Sequence, residues 1–161
     1  MATKLDIGDA FPDMPLNLVD GGTAKIPDLV DAKYQMILFY RGHWWPYCRR
    51  QLVGFEKEKS TLEAEGIKVI AASIDTGDEA KLVADEVSFP IGQGVTRDQA
   101  RQIDAWWEDR RGIIQPSEFL LGDDGKVVSS SYSAGPLARM DAADVIKLVQ
   151  LFERRKAEAQ Q

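Results

Sequence analysis

Two almost wholly apolar runs constrain this chain more than anything else in it: YQMILFY at 34–40 and IKVIAASID at 67–75. Short runs without polar alternation are what strands covered on both faces require. Between them, Pro46 suits the first turn of a helix, where a missing N–H costs nothing. Leu52, Phe55 and Leu62 follow Cys48 along one helical face, with Lys59 interrupting the stripe, and Gly66 stands where a helix C′ residue would. Strand, helix, strand at this spacing is a βαβ unit. Its two strands run parallel, joined by a right-handed crossover.

Further along, TGDE (76–79) reads as a capping box that opens a short helix to about Val87. FPIGQGVT (89–96) reads as a brief edge strand, and 98–107 as helix. SEFLL and KVVSSSY flank GDDG, where Asp124-Gly125 signals a tight hairpin. A last helix over about 141–156 places Val145, Ile146, Val149 and Phe152 on one face. Before the first core strand, LNLVDGGTAKIPDL reads as a β-hairpin within an N-terminal extension over 1–30. The expected fold is α/β, a central mixed β-sheet flanked by helices on both faces, in a single domain over 1–161 with a polar tail at 155–161. Sheets of this kind place their sites at the C-terminal ends of parallel strands, and residues 41–48 leave the first core strand at that end.

Charge and residue usage narrow the function classes. A formal net charge of −6 argues against nucleic acid or an anionic membrane as the main partner. One cysteine cannot form an intramolecular disulfide, and one cysteine with one histidine falls short of a structural zinc set, so no metal is expected. The N-terminus carries no apolar stretch of signal-peptide length and no window spans a bilayer, which makes a cytoplasmic protein without membrane partners the expectation.

The lone cysteine and lone histidine both lie in FYRGHWWPYCRR (39–50). Cys48 falls in the first turn of the expected helix, at the positive end of its dipole, with Arg41, Arg49 and Arg50 close in sequence. The thiolate is the nucleophilic form of cysteine, and in that setting it can attack a disulfide or a peroxide O–O bond, the latter giving sulfenic acid. The plainer reading of Cys48 is a small buried hydrophobe. His43 either pairs with Cys48 for nucleophilic catalysis or is a loop histidine bonded to backbone. Trp44-Trp45 and Trp106-Trp107 line a pocket or pack as aromatic cover. With cysteine at position 45 the loop would read CPYC, a redox dithiol.

These residues carry a family resemblance. LDIGDAFPDMPLNLVDGG resembles the N-terminal segment of the alkyl hydroperoxide reductase/thiol-specific antioxidant (AhpC/TSA) family, the peroxiredoxins and their thioredoxin-like relatives. MILFYRGHWWPYCRRQL resembles that family's active-site strand, loop and helix. PSEFLLGDDGKV resembles the thioredoxin-fold segment in which a cis-proline precedes a strand and hairpin. Pro116 would be that proline, set beside Cys48.

Two branches of the family read Cys48 differently. In peroxiredoxins a Thr or Ser stands three residues before the peroxidatic cysteine and a Pro seven before, with a distant Arg in support. Here those places hold Trp45 and Arg41, and the distant Arg falls about at Pro116, leaving Arg110 or Arg111 to substitute only through folding. The second branch bears RGxWCPYC, and RGHWWPYC differs from it by Trp45 in place of the first cysteine. Cys48 would then be the deeper, resolving thiol, covered by the Trp45 ring. The resemblance implies a thioredoxin-like fold and a thiol-dependent oxidoreductase reducing peroxide or disulfide through Cys48. It implies Trp45, Pro46, Tyr47, Arg49, His43 and Pro116 as supporting residues and no cofactor. The reductant it implies is an external thiol, thioredoxin or glutathione, and relatives of this kind often form homodimers. The alternative is a redox-inactive thioredoxin-fold binding or regulatory module, its partner held by Trp44, Trp45, Tyr47 and Pro116.

Overall fold

A computed structural model describes residues 3–160. The chain opens with β1 (Met14–Leu18) and β2 (Thr23–Ile26), then β3 (Tyr34–Phe39), α1 (Pro46–Lys57), α2 (Lys59–Ala64) and β4 (Ile67–Ala72). Next come α3 (Gly77–Ala84), β5 (Ile91–Gln93), α4 (Arg97–Gln102), β6 (Trp107–Glu108) and β7 (Ile113–Ile114). It closes with the hairpin β8 (Ser117–Gly122) and β9 (Val127–Tyr132) and the long α5 (Ala142–Ala159).

Every residue of β3 is buried, and β3 pairs in parallel with β4, Tyr34 opposite Ile67 and Phe39 opposite Ala72. β8 adds antiparallel on the other side, Leu38 opposite Glu118. The full order is β2-β1-β5-β4-β3-β8-β9, a mixed sheet as expected for the α/β fold. Alternation along the central strands divides the core into two layers. Met36, Leu38 and Leu120 join Leu52 and Phe55 of α1 and Val145 and Val149 of α5 on one face. Ile37, Phe39 and Phe119 face Phe11, Met14, Val95 and Ile103 on the other. Phe119 anchors that second layer, with its ring centre 5.2 Å from Phe11 and 5.4 Å from the partly buried Tyr132, and burying the Phe119 ring contributes about 1.5–3 kcal/mol.

The structure departs from the sequence expectations at several boundaries. The helix after Cys48 breaks at Glu58 into α1 and α2, where Lys59 interrupts the apolar stripe. Gly66 closes the second piece with φ +77°, the left-handed conformation glycine adopts freely. TGDE does not form a capping box: Thr76 is the N-cap without a side-chain bond, and α3 stops at Ala84. A capping box forms instead at Thr96 and Gln99, opening α4. The expected helix over 98–107 ends at Gln102, because Asp104 turns to φ +53° and Trp107 enters a short β-pair with Ile114. β5 is interior rather than an edge, since the N-terminal hairpin docks β1 along its outer side.

Pro116 is not a cis-proline: the cis peptide among the described residues is Ile26-Pro27. The Gln115-Pro116 bond is trans, and extended chain leads from β7 directly into β8, where the Pro116 carbonyl accepts the Ser133 N–H at 2.9 Å. Trans is the intrinsically favoured isomer, and an extended residue before proline suits it. No helix among the described residues is long and apolar enough to cross a membrane.

Candidate active site

At the C-terminal ends of β3 and β4 two loops meet, 40–45 and 73–76. Gly42 lets them close. A Cβ there would lie 2.6 Å from the Trp44 ring and 3.1 Å from Asp75 Oδ1, so only glycine leaves room for both. The chain then extends through Trp45 as N-cap, and Pro46 starts α1 with no N–H to satisfy. Cys48 is thereby the third residue of α1, in the turn whose N–H groups have no intrahelical partner. Its side chain is 0% exposed, and Sγ accepts the Arg41 backbone N–H at 3.4 Å.

Arg41 is itself buried, 5% exposed. Its Nε donates to Gln115 Oε1 at 2.7 Å, and its guanidinium carbon lies 4.3 Å from the Trp45 ring centre. Burial, reinforced by the neighbouring Arg111 guanidinium, pulls its pKa below the ordinary arginine value. Arg111 reaches the same indole, 4.8 Å from its centre, while its Nε holds Glu108 at 3.0 Å. The Trp45 ring is thus contacted by two cations, and its indole N–H is buried without a partner.

His43 is held from the end of β4. Its backbone N–H donates to Asp75 Oδ2 at 2.7 Å, and its Nδ1 lies 3.2 Å from the same oxygen. Asp75 is buried, and its other carboxylate oxygen, Oδ1, has no hydrogen-bond partner. Burial raises its carboxyl above the ordinary range against the opposing pull of His43. Tyr40, next in the chain after β3, is fully buried, and burial raises its hydroxyl well above the ordinary phenol value. His43, Asp75 and Glu79 offer ligand atoms within 4.8 Å of one another, which is the donor set the described residues hold for a cation here.

Beneath α1 a second polar group sits in the core. Glu118 of β8 is fully buried, and its Oε1 accepts from Gln51 Nε2 at 2.8 Å and from the Met140 N–H at 3.2 Å. Gln51 is one turn beyond Cys48, and its own Oε1 accepts from Arg139 Nη1 at 3.2 Å. Burial pushes the Glu118 carboxyl up to about 7.

Of the residues singled out in the sequence, Trp45, Pro46 and His43 lie in the loop and helix start that carry Cys48. Tyr47 is half-exposed on the outside of α1 with Arg50 stacked on it at 5.6 Å. Arg49 is not brought to the thiol. It points outward to an ion pair with Glu86, because the residue after Cys48 falls on a different side of the helix. Pro116 enters only through its neighbour Gln115, the partner of Arg41. Trp106 is exposed, with Lys4 Nζ 4.0 Å from its ring centre, and Trp107 is part of β6. Asp75, Glu118, Gln51 and Arg139 were missed, whereas Arg111, named above as an arginine that only folding could bring in, stacks on the Trp45 ring. Two of them left a signal, a charged residue inside or at the end of an apolar run: Glu118 in SEFLL and Asp75 closing IKVIAASID.

Crystal structures share the fold. A cysteine-to-serine mutant of peroxiredoxin 6 of Arenicola marina aligns at TM-score 0.80 and 16% identity over 92% of this chain and 74% of its own. AhpC of Mycobacterium tuberculosis aligns at TM-score 0.77 and 16% identity over 94% of both chains. In sequence, peroxiredoxin bcp1 of Schizosaccharomyces pombe (strain 972 / ATCC 24843) is 29% identical over 88 residues, 55% of this chain. The matched stretch spans 45% of that relative's length. Residues 7–130 match the profile of the AhpC/TSA family, across both parallel core strands, the Cys48 loop and the β8 strand, and on that match the chain belongs to the AhpC/TSA family.

Proposed function

We propose that this protein is a thiol-dependent oxidoreductase of the peroxiredoxin/thioredoxin-like class, with Cys48 as its reacting group and an external thiol as reductant. The observation that supports this most is the seat of Cys48 in the first turn of α1, where Sγ accepts the backbone N–H of the buried Arg41. A helix N-terminus and a nearby guanidinium both stabilise a developing thiolate.

In the proposed cycle the Cys48 thiolate attacks the terminal oxygen of a hydroperoxide. The S–O bond forms, the O–O bond breaks, and the departing alkoxide takes a proton to leave as alcohol. One external thiol then displaces water from the sulfenic acid to give a mixed disulfide. A second releases Cys48 as thiol and leaves as the oxidised disulfide. A disulfide substrate enters the same cycle at the mixed-disulfide stage. Thioredoxin or glutathione fits the role of reductant, with a cytoplasmic setting and a homodimeric assembly as further parts of the reading.

One observation favours a second reading. Cys48 has no exposed surface and Trp45 packs against the same core layer, so a binding module without redox turnover fits the closed loop. Peroxide consumption with dilute hydrogen peroxide and glutathione or thioredoxin separates the two. The oxidoreductase reading expects turnover in the wild type, loss of it in Cys48→Ser, and sulfenic acid on Cys48 by mass spectrometry. Equal background rates in both proteins would overturn it in favour of the binding module.

A further inference from the structure

Where β3 and β4 end side by side, three groups meet that the proposed thiol cycle does not use. His43 lies on the loop after β3, Asp75 follows β4, and Glu79 is in the first turn of α3. One donor atom of each lies within 4.8 Å of the other two. A lone histidine and a lone cysteine fall short of a structural zinc set, but carboxylates drawn in by folding complete a different one.

Asp75 carries the inference. Its side chain is 0% exposed, and its carboxylate is aimed at His43. Oδ2 accepts the His43 backbone N–H at 2.7 Å and stands 3.2 Å from Nδ1. Oδ1 is buried without any hydrogen-bond partner. A dry carboxylate oxygen with nothing bonded to it is costly, and a bound cation supplies the missing partner. The His43 side chain is 21% exposed and Glu79 lies at the surface, so an ion reaches the group from solvent.

The spacing fits a transition ion. Zinc holds imidazole nitrogen and carboxylate oxygen at about 2.0–2.2 Å, so tetrahedral neighbours stand about 3.3–3.5 Å apart. The 3.2 Å between Nδ1 and Oδ2 already matches that spacing. Glu79, exposed on its helix, then has about 1.5 Å at most to close. Imidazole between two carboxylates suits zinc or a similar ion over magnesium or calcium, which take oxygen ligands. Two carboxylates also outweigh the partial positive charge at the start of α3.

We propose that His43, Asp75 and Glu79 form a binding site for a divalent transition metal ion of the zinc class, with water completing its coordination. The ion ties the loop after β3 to the start of α3, and so steadies the turn from which α1 and Cys48 follow. It takes no ligand from Cys48, and the site stands whether or not that thiol turns over.

Tag-free protein stripped with a chelator is titrated with zinc chloride by calorimetry, and with cobalt chloride by absorption and tryptophan fluorescence. Saturable binding of one ion is expected, with a melting temperature that climbs as zinc is added. Cobalt should give the visible bands of a nitrogen and oxygen site. It should also quench tryptophan emission, because the Trp44 ring centre lies 4.9 Å from that of His43. His43→Gln and Glu79→Gln should each weaken zinc at least about tenfold, with thermal melts confirming that both fold. Glu79 is exposed, so its variant keeps the core intact even where His43→Gln disturbs the loop. Cys48→Ser should bind zinc like wild type. Absence of saturable binding, or unchanged binding in folded Glu79→Gln, overturns the proposal. So does a sulfur-to-cobalt charge-transfer band that disappears in Cys48→Ser, since that would place the ion on the thiol.

Discussion

Replacing Glu118 by Gln should make the protein more stable at alkaline pH and leave it unchanged in acid. Glu118 is fully buried in β8, facing α1, with Oε1 bonded to Gln51 and Met140 and Oε2 without a partner. Desolvation raises its carboxyl from the ordinary 4.5 to about 7, against the opposing pull of Gln51, Met140 and Arg139. The native state therefore holds a proton that the unfolded chain has already released across that window. Below about pH 4.5 both states carry it, and Glu118 makes no pH-dependent difference. As pH rises from there through about 7, stability is lost, and above 7 the loss is complete. Each pH step in the window costs about 1.4 kcal/mol, so the total is roughly 3 kcal/mol. A neutral glutamine keeps the acceptor for Gln51 and Met140 and does not titrate.

Urea unfolding of both proteins from about pH 4.5 to about pH 8.5 isolates the effect, because every other titrating group is common to the two. The difference in stability should begin near zero and grow to roughly 3 kcal/mol in favour of Glu118→Gln, a midpoint separation on the order of 1–2 M urea. Parallel stability curves would refute the reasoning. So would a wild type that gains on the variant as pH rises, since that would mean Arg139 stabilises an ionised Glu118 beyond its desolvation cost.

Two other substitutions probe the loop directly. Trp45→Cys places a thiol at the N-cap of α1, three residues before Cys48, and removes the large ring packed on that core layer. Disulfide reductase activity in an insulin reduction assay should appear in this variant above the wild-type rate, and its absence would show that the loop no longer suits a dithiol. Gly42→Ala drives a methyl into the Trp44 ring at 2.6 Å and against Asp75 Oδ1 at 3.1 Å. It should cost about 1–3 kcal/mol by overpacking and change the near-ultraviolet circular dichroism of the tryptophans, and an unchanged spectrum with unchanged stability would contradict the contact.

What the sequence determined by itself is local or repetitive. The apolar runs at 34–40 and 67–75 marked the core strands, because short runs of β-branched and apolar residues bounded by turn and cap signals suit strands rather than longer helices. Asp-Gly turns marked the hairpins, and Pro46 marked where α1 begins and so where Cys48 sits in it. The tertiary structure decided whatever depends on a partner distant in the chain. β5 is interior because a hairpin formed some seventy residues earlier docks beside it. Helix geometry turns Arg49 off the thiol's side of α1, and only the folded chain sets Glu86 there as its ion-pair partner. Asp75 holds His43 only because parallel pairing brings the ends of β3 and β4 together. Arg111 meets Trp45, and Glu118 meets Gln51, across gaps in sequence that no spacing rule spans. Periodicity records which face of an element is dry, and it identifies Cys48 as a residue at a helix start. The charges placed around that thiol are long-range facts, fixed when the sheet closes over two layers of core.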